Sequence, residues 1–290
     1  MRYIDIVSAS NPQVKEAVSI KEKRRKYKYE AFLIEGPHLV EMALQSGTAI
    51  KKAFFTEEFS SGRGGASLLK KLTGSGAGMF RITAQILSML SDTETPQGVI
   101  ATAAYNPCSL DTLQVSENAM IVIIDGIQNP GNLGTIIRTA DAAGADALIM
   151  LPGTCDAFMP KALRSTAGSL FTLPIAYAET AAVIRWLREK AIGLSVTDAK
   201  APVEIHQADL THPLAFVFGN EAHGVSDSLK KAATVLLSIP ILGKAESLNV
   251  AASAAICLYE AVRQRRKGAE KQLSITAPQS KTFRPGPKHR

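Results

Sequence analysis

Continuous apolar runs alternate with amphipathic segments along most of this chain of 290 residues. Runs such as MIVIID (120–125) and LAFVFG (214–219) have no polar residue in their interior, which is typical of parallel strands buried on both faces of a sheet. The segments between such runs carry apolar residues at helical spacing. The pattern therefore predicts an α/β protein in which helices connect the strands of mainly parallel sheets.

A first block of alternating elements predicts a small three-layer α/β domain over residues 1–105. Its predicted strands are AFLIEG (31–36), IKKAFFTEE (50–58), MFRIT (79–83) and GVIATAAY (98–105). Its predicted helices are PHLVEMALQSG (37–47), SLLKKL (67–72) and AQILSMLS (84–91). A basic amphipathic helix from about residue 11 to residue 28 is expected to precede them.

A stretch rich in turn formers, YNPCSLDTLQVSEN, predicts a linker over 106–118. The next predicted strands are MIVIID (120–125), ALIML (147–151), FTLPIAY (171–177), GLSVTD (193–198), LAFVFG (214–219) and VLLSIP (235–240). Helices are predicted at 133–143, 161–169, 180–191, 226–233 and 248–266. These elements predict a second domain with a parallel sheet over 119–267, followed by a basic, disordered tail over 268–290.

The charge balance favours a polyanionic partner such as RNA or DNA, because 33 Lys and Arg exceed 26 Asp and Glu. Cys108, Cys155 and Cys257 are scattered without a disulfide or CxxC spacing, which fits a reducing cytoplasm. The first residues, MRYIDIVSAS, lack the apolar core of a signal peptide, and no apolar run has the length of a membrane span. We therefore expect a cytoplasmic protein with neither a membrane segment nor a metal site.

Glycines and unusual polar residues cluster after three of the predicted strands. The clusters are NPGNLGTIIRTADAAG (129–144), FVFGNEAHG (216–224) and SIPILGKAESLNVAASAA (238–255). Ligands of open α/β sheets bind at the carboxyl ends of the strands. Three such clusters in one stretch of chain therefore indicate a single site that several strand ends build together.

The glycines of the first cluster argue against a dinucleotide site. Gly126, Gly131 and Gly134 form G-x4-G-x2-G, whereas a pyrophosphate-binding turn needs G-x-G-x-x-G, and no Lys-Ser/Thr pair of a P-loop follows. Asn132 and Arg138 would point about 240° apart around one helix. If both serve one site, Asn132 must lie in the loop or at the helix cap. Alternatively, Asn132 is only the N-cap and Arg138 pairs with Asp141.

The other two clusters also have structural alternatives. Glu221 is a carboxylate at a strand end, which is either solvated or turned into a site. Ser247 and Asn249 open a helix that carries small residues over 251–255, and Ser247 could simply cap it while the alanines allow tight packing. Ser226 is expected to be the N-cap of the helix predicted at 226–233.

Taken together, the three clusters resemble the three motifs of the SpoU (TrmH-like) family of the SPOUT superfamily. Members of that family transfer a methyl group from S-adenosylmethionine to a ribose 2′-hydroxyl of RNA. The resemblance covers about residues 120–266, and ASNPQVKEAVSIKEKRRKYKYEAFLIEGPHLVEMAL in the first half resembles an L30e-like RNA-binding domain. It implies a trefoil knot in the C-terminal sheet and a homodimer with the active site near the subunit interface.

The resemblance also implies roles for individual residues. The family's catalytic and substrate-binding positions correspond to Asn132, Arg138, Glu221, Ser247 and Asn249. Its cofactor-binding positions correspond to Gly219, Ile239 and Leu248. The additional N-terminal domain favours ribosomal RNA over tRNA as the substrate.

The residues at the family's catalytic positions include no histidine that could serve as an ordinary general base, and His223 of the second cluster is most simply a loop residue. An arginine guanidinium does not lose its proton near neutral pH, so we expect Arg138 to bind an RNA phosphate and orient the hydroxyl, with a phosphate oxygen or water accepting the proton. Two alternatives remain from the residues: a non-catalytic RNA- or ribosome-binding protein on the same fold, and a methyltransferase that modifies a base.

A basic run in the first domain predicts a second RNA contact. It consists of Lys21, Lys23, Arg24, Arg25, Lys26 and Lys28, with Tyr27 and Tyr29 interleaved. Such a run suits phosphates and stacked bases, although a solvated helix face has the same composition. Arg265, Arg266 and the tail are expected to add non-specific affinity for RNA.

Overall fold

The computed structural model of the chain describes residues 2–22, 31–104 and 108–276 and contains two α/β domains. Its strands are β1 (Ile4–Ile6), β2 (Ala31–Glu35), β3 (Ile50–Phe55), β4 (Gly78–Ile82), β5 (Val99–Ala104), β6 (Met120–Asp125), β7 (Ala147–Met150), β8 (Ile175–Tyr177), β9 (Gly193–Thr197), β10 (Val203–Glu204), β11 (Leu214–Gly219) and β12 (Val235–Ser238). Its helices are α1 (Pro12–Glu22), α2 (Pro37–Gln45), α3 (Glu57–Ser61), α4 (Arg63–Gly74), α5 (Ala84–Leu90), α6 (Pro130–Ala142), α7 (Pro160–Thr166), α8 (Thr180–Glu189), α9 (Asp227–Ala232) and α10 (Val250–Thr276).

The N-terminal sheet has the strand order β1-β4-β3-β5-β2 and lies between two layers of helices. Because successive side chains of a strand point to opposite faces, Phe54 packs toward α1 and α5 while Phe55 packs toward α2 and α4. The sheet is mixed, since β5 runs antiparallel to both of its neighbours. The predicted three layers are present. Strand β1 was not predicted, because its three residues are too few to show an alternation of apolar and polar positions.

The C-terminal sheet has the order β10-β12-β9-β11-β6-β7-β8, and every pair of neighbours is parallel. This confirms the parallel sheet expected from the apolar runs. Helices α6, α7 and α10 cover one face, where Val122 and Phe216 lie, and α8 and α9 cover the other, where Ile123 and Val217 lie. After β12, which lies next to the edge strand β10, the chain returns toward the centre of the sheet. There α10 packs on α6 and on the central strand β11.

Arg265 fastens α10 to the rest of the domain. Its guanidinium donates hydrogen bonds to the carbonyl oxygens of Asn118, Ala119, Leu210 and His212 at 2.8–3.1 Å. Burial lowers the pKa of this guanidinium. The expectation that Arg265 faces RNA is therefore wrong, because its donors are already used inside the domain.

Two predicted boundaries differ clearly from the structure. The strand expected at 171–177 is only β8, because Ser169–Phe171 forms a 3₁₀ turn and Pro174 cannot donate to a ladder. Helix α10 runs to Thr276, past the predicted start of the tail, since GAEKQLSIT contains strong helix formers and the first proline comes at position 278. The final residues, 277–290, lie outside the described part.

The described part of the predicted linker, residues 108–118, packs on the second domain. The backbone N–H of Cys108 donates to the carbonyl of Ile175 at 3.1 Å, and Leu113 is buried in the core below α8. The domains themselves share apolar contacts: the ring of Phe32 lies 4.6 Å from that of Phe158, centroid to centroid. The two domains are therefore held by a packed junction as well as by the chain that joins them.

Within the described ranges, no helix combines the length and the apolar composition needed to cross a lipid bilayer.

Candidate active site

The ends of β6 and β11 are neighbours in the sheet, and side chains bind their loops together. Asp125 and Gly219 are paired in register at these ends. A carboxylate oxygen of Asp125 accepts a hydrogen bond from the backbone N–H of Ser226 at 2.7 Å. The side-chain amide of Asn220 donates to the carbonyl of Gly126 at 2.8 Å. The first and second clusters therefore form one rigid loop pair, as their sequence pattern indicated.

Gly219 is required by the tight turn that follows β11. The backbones of Asn220 and Gly224 exchange two hydrogen bonds, and the Asn220 side chain accepts from the N–H groups of Ala222 and His223. The turn folds back so closely that a Cβ at Gly219 would lie 2.3 Å from the backbone carbon of Gly224. No side chain fits in that space, so this predicted cofactor residue also has a structural reason to be glycine.

Asn132 lies inside helix α6, at its first turn, and not in the preceding loop. Asn129 is the N-cap, since its side chain accepts from the backbone N–H of Gly131 at 2.9 Å, and Pro130 occupies the first helical position. The expected loop or cap position of Asn132 is therefore wrong. Its side chain is left available to the site.

The carboxylate of Glu221 crosses from the β11 loop to the N-terminus of α6. It accepts hydrogen bonds from the Asn132 side chain at 3.0 Å and from the backbone N–H groups of Gln128 and Asn129 at 3.1 and 3.2 Å. Burial raises the pKa of Glu221, but these hydrogen bonds outweigh that effect and leave the pKa below its ordinary value. Glu221 is therefore an ionised acceptor at neutral pH and is turned into the site.

Asn249 joins the third cluster to the other two. Its side-chain oxygen caps α10 by accepting from the N–H groups of Ala251 and Ala252 at 2.9 and 3.4 Å. Its side-chain nitrogen donates to the side-chain oxygen of Asn132 at 3.1 Å. The alternative in which Ser247 caps this helix is therefore wrong. Ser247 itself is exposed in the preceding segment.

The direction of this hydrogen-bond chain is fixed from both ends. The carboxylate of Glu221 can only accept, so Asn132 must present its amide nitrogen there and its oxygen to Asn249. The helix N–H groups can only donate, so Asn249 must present its oxygen to them. Each asparagine then retains one side-chain N–H that makes no hydrogen bond within the described residues.

A groove of about 560 Å³ opens beside these asparagines, between α6, α7 and α10. Among the described residues that line it are Asn132, Thr135, Lys161, Ser165, Asn249 and Ala252. The hydroxyl groups of Thr135 and Ser165 donate to carbonyls of their own helices, so they offer only acceptors to the groove. The small residues of α10 keep this wall open.

Arg138 stands apart from the asparagines. It is exposed on α6, it is not part of the groove lining, and it makes no hydrogen bond or ion pair with any described residue. The alternative pairing with Asp141 is not formed, since Asp141 instead accepts a hydrogen bond from Thr172 at 3.1 Å. Because Asn132 and Arg138 are both helical, they share a site only through a substrate that spans the surface of α6 between them.

The two remaining predicted cofactor residues lie in the irregular segment between β12 and α10. Ile239 is half-buried against the core, whereas Leu248 is 40% exposed. Ile239 and Leu248 therefore present apolar surface, and both lie close to Asn249 in the sequence. Across residues 2–22, 31–104 and 108–276, no group of three His, Cys, Asp or Glu side chains is arranged to hold a metal ion.

Of the predicted basic run, only Lys21 lies within the described residues. Its ammonium donates to the carbonyls of Met89 and Ser91 at the end of α5 and pairs with Asp92 at 3.5 Å. This charge is thus engaged inside the domain. Lys23, Arg24, Arg25, Lys26 and Lys28 lie outside the described residues, and the RNA contact of the run stays a prediction.

Sequence reasoning missed Gln128, Asn220 and Lys161. Gln128 donates from its side chain to the carbonyls of Gly126 and Gly153, which fixes the loop that presents its own N–H to Glu221. Gln128 directly precedes the first cluster and Asn220 lies inside the second, a signal that could have found them. Lys161 comes from a segment without any motif, so only the packing of α7 on α6 reveals it.

Comparison with known proteins identifies the family. Residues 119–259 match the model of the SpoU rRNA Methylase family, and residues 11–101 match an MRM3-like substrate binding domain. The chain is 34% identical over 254 residues to the 23S rRNA (guanosine(2553)-2′-O)-methyltransferase RlmP of Bacillus subtilis, covering 88% of this chain and 97% of that protein. The chain therefore belongs to the SpoU rRNA methylase family.

Further relatives agree with this assignment. A 23S rRNA (uridine(2479)-2′-O)-methyltransferase of Streptomyces viridochromogenes is 32% identical, covering 82% of this chain and 84% of that protein. A crystal structure of an AdoMet-bound rRNA methyltransferase from Sinorhizobium meliloti superposes with a TM-score of 0.81 at 32% identity, covering 89% of this chain and 97% of that one. The similarity thus includes both domains.

Proposed function

We propose that this protein transfers the methyl group of S-adenosylmethionine to a ribose 2′-hydroxyl of ribosomal RNA. The observation that carries the proposal is the oriented chain from Glu221 through Asn132 to Asn249 at the edge of an open groove. The full-length similarity to enzymes named as 23S rRNA 2′-O-methyltransferases supports both the reaction and the choice of ribosomal RNA over tRNA. The basic net charge agrees with an RNA substrate.

The residues at the ends of β11 and β12 fit the cofactor. Leu248 is exposed and Ile239 is half-exposed, and their apolar surface suits an adenine and the carbon atoms of its ribose. The tight turn after Gly219 offers backbone polar groups to the same cofactor. When bound, S-adenosylmethionine supplies an electrophilic methyl group. A trefoil knot that holds it agrees with the return of α10 from the far side of the sheet onto α6 and β11.

On the substrate side, the asparagines orient the ribose. Asn132 and Asn249 each retain one N–H that can bind a ribose oxygen, and Glu221 holds Asn132 in place. Such positioning is worth several kcal/mol when the reacting atoms are brought into line. Ser247 adds a hydroxyl from the segment next to Leu248.

Arg138 presents the planar fork of guanidinium donors that matches a phosphate, and it therefore binds an RNA phosphate and orients the hydroxyl. The proton of the 2′-hydroxyl passes to a phosphate oxygen or to water. Glu221 is a weak base because its carboxylate already accepts hydrogen bonds from three donors, the backbone N–H groups of Gln128 and Asn129 and the side chain of Asn132.

The N-terminal domain, with its match to a substrate binding domain, serves as the L30e-like RNA-binding unit of the enzyme. The protein acts in the cytoplasm as a homodimer. Two apolar side chains of α10, Ile256 at 40% and Tyr259 at 50% exposure, support a subunit interface next to the site where this helix begins.

The test is methyl transfer by the purified protein from labelled S-adenosylmethionine to unmodified 23S rRNA, followed by mapping of 2′-O-methyl sites. We expect one ribose to be labelled, and tRNA to be a poor substrate. Transfer to a base would contradict the proposal in favour of base methylation. Binding of RNA without cofactor binding or transfer would instead favour a non-catalytic RNA-binding protein.

A further inference from the structure

Lys161 occupies the mouth of the groove at the N-terminal end of α6. It is the second residue of α7, and its side chain lies over Gly131: a Cβ at Gly131 would be 3.6 Å from the Cε of Lys161. The neighbouring Gly134 lets the two helices approach closely, since a Cβ there would lie 2.3 Å from the carbonyl oxygen of Ala162. The packing of α7 on α6 thus fixes where the ammonium can reach.

The charge of Lys161 is not compensated within the described part of the chain. Of the described residues that line the groove, Lys161 carries the charge, and it makes no hydrogen bond or ion pair with another described residue. Several other lysines are paired, for example Lys71 with Glu41 and Lys230 with Asp198 at 2.5 and 2.6 Å. An uncompensated ammonium at a groove with otherwise neutral walls is suited to an anion.

Helix geometry places Lys161 on the flank of α6 that also carries Arg138. Gly131 and Arg138 are seven positions apart, which corresponds to about 20° around the helix and about 10 Å along it. Asn132 is about 100° away from Gly131, on the side of α10. The flank of α6 near Lys161 therefore carries cationic side chains, and the side toward α10 carries the side-chain N–H groups of Asn132 and Asn249.

We propose that Lys161 binds a backbone phosphate adjacent to the ribose that is methylated, and so positions the RNA against Asn132 and Asn249. The inference rests on the proposed function, because it assumes RNA in this groove. A ribose held by the two amides brings one of its phosphates to Lys161 at the groove, and the RNA backbone can continue along the same flank of α6 to Arg138, outside the groove lining. Lys161 is thus a substrate-positioning residue in a segment outside the three clusters.

The experiment compares the full-length wild type with Lys161→Met, Lys161→Arg and Lys190→Met. Lys190 is an exposed lysine at the end of α8, on the opposite face of the sheet, and serves as the matched control. For Lys161→Met we expect KM for RNA to rise on the order of tenfold. We also expect the salt dependence of RNA binding to lose about 0.7–0.9 of its logarithmic slope, the value of one phosphate contact.

The conservative variant and the cofactor separate this role from a structural one. Lys161→Arg should retain most of the salt slope, and the Kd for S-adenosylmethionine should be unchanged in both variants. If Lys161→Met matches Lys190→Met in KM and salt slope while the wild type methylates RNA, the inference is overturned and the proposed function stands. If the wild type binds RNA but transfers no methyl group, the proposed function fails, and the salt slope still tests Lys161.

Discussion

At the scale of single residues, the site depends on the direction of one hydrogen-bond chain. Glu221 can only accept and the N-terminus of α10 can only donate, so the two asparagines between them have one consistent orientation. Each asparagine uses one side-chain N–H within this hydrogen-bond chain and keeps one that makes no hydrogen bond with a described residue, which we propose binds the substrate. A substitution at either end of this hydrogen-bond chain therefore changes the orientation of side chains that the substituted residue does not contact.

Asn132→Ala removes the N–H that we propose donates to the substrate, and it also removes the hydrogen bond from Asn132 to Glu221. We expect kcat for RNA methylation to fall by about 10²–10³-fold, the usual cost of losing one oriented donor, with cofactor affinity unchanged. Single-turnover methylation and calorimetric titration with S-adenosylmethionine measure the two effects. Asn118→Ala, at an exposed position outside the groove, is the control. Equal activity of the two variants would exclude Asn132 from the reaction.

Glu221 also makes stability depend on pH. Its pKa is lowered in the folded protein, so its contribution is present above the unfolded pKa of about 4.5 and is lost as the pH falls through the lower folded value. We expect Tm to decrease more steeply below pH 4.5 in the wild type than in Glu221→Gln, which lacks this titration. Thermal melts of both proteins from neutral to acidic pH give the comparison. Parallel curves would show that the carboxylate is not held by its donors.

At the scale of elements, the strands were predictable and the details of the site were less so. The continuous apolar runs predicted β6 and β11 to the residue, because burial on both faces requires such runs. The position of Asn132 was predicted wrongly because Asn129 and Pro130 start α6 earlier than the periodicity suggested. Lys161 could not be predicted at all, since its role depends on the approach of two helices whose contact is not encoded in any local pattern.

Helix α10 carries Asn249 at its start and must be held in place along its length. The four carbonyls that Arg265 binds lie in the segments just before β6 and just before β11. Arg265→Met removes the guanidinium donors from all four, although Ala119 still accepts from the backbone N–H of Leu214, and we expect the free energy of unfolding to decrease by about 2–3 kcal/mol. Chemical denaturation measures it.

The neighbouring Arg266→Met is the matched control, because Arg266 is exposed and makes no hydrogen bond with a described residue. Its effect should stay within about 0.5 kcal/mol. If the two variants are equally stable, α10 is anchored by its apolar face alone. Cys257 and Leu258, both fully buried, form part of that face.

At the scale of the whole molecule, we propose one place of RNA contact in each domain. One is the flank of α6 in the second domain, with Lys161 beside the groove and Arg138 outside its lining. The other is the basic run of the first domain, which in sequence immediately precedes β2, the strand whose Phe32 packs at the domain junction. Because the junction packs the two domains together, we expect RNA contacts in both to act on a single substrate with little loss of flexibility on binding.

This arrangement predicts how the basic run contributes to RNA binding. A variant with Lys23, Arg24, Arg25, Lys26 and Lys28 all changed to Gln should flatten the salt dependence, by up to about 3–4 units of logarithmic slope if each residue contacts a phosphate of a single strand. Lys21 is left unchanged because it binds carbonyls at the end of α5. The kcat at saturating RNA should stay close to that of the wild type, since these residues precede β2 and lie outside the three clusters that build the site. Filter binding across a range of salt concentrations measures the slope, and an unchanged slope would assign the run to a solvated surface, leaving the groove to supply the electrostatic attraction for RNA.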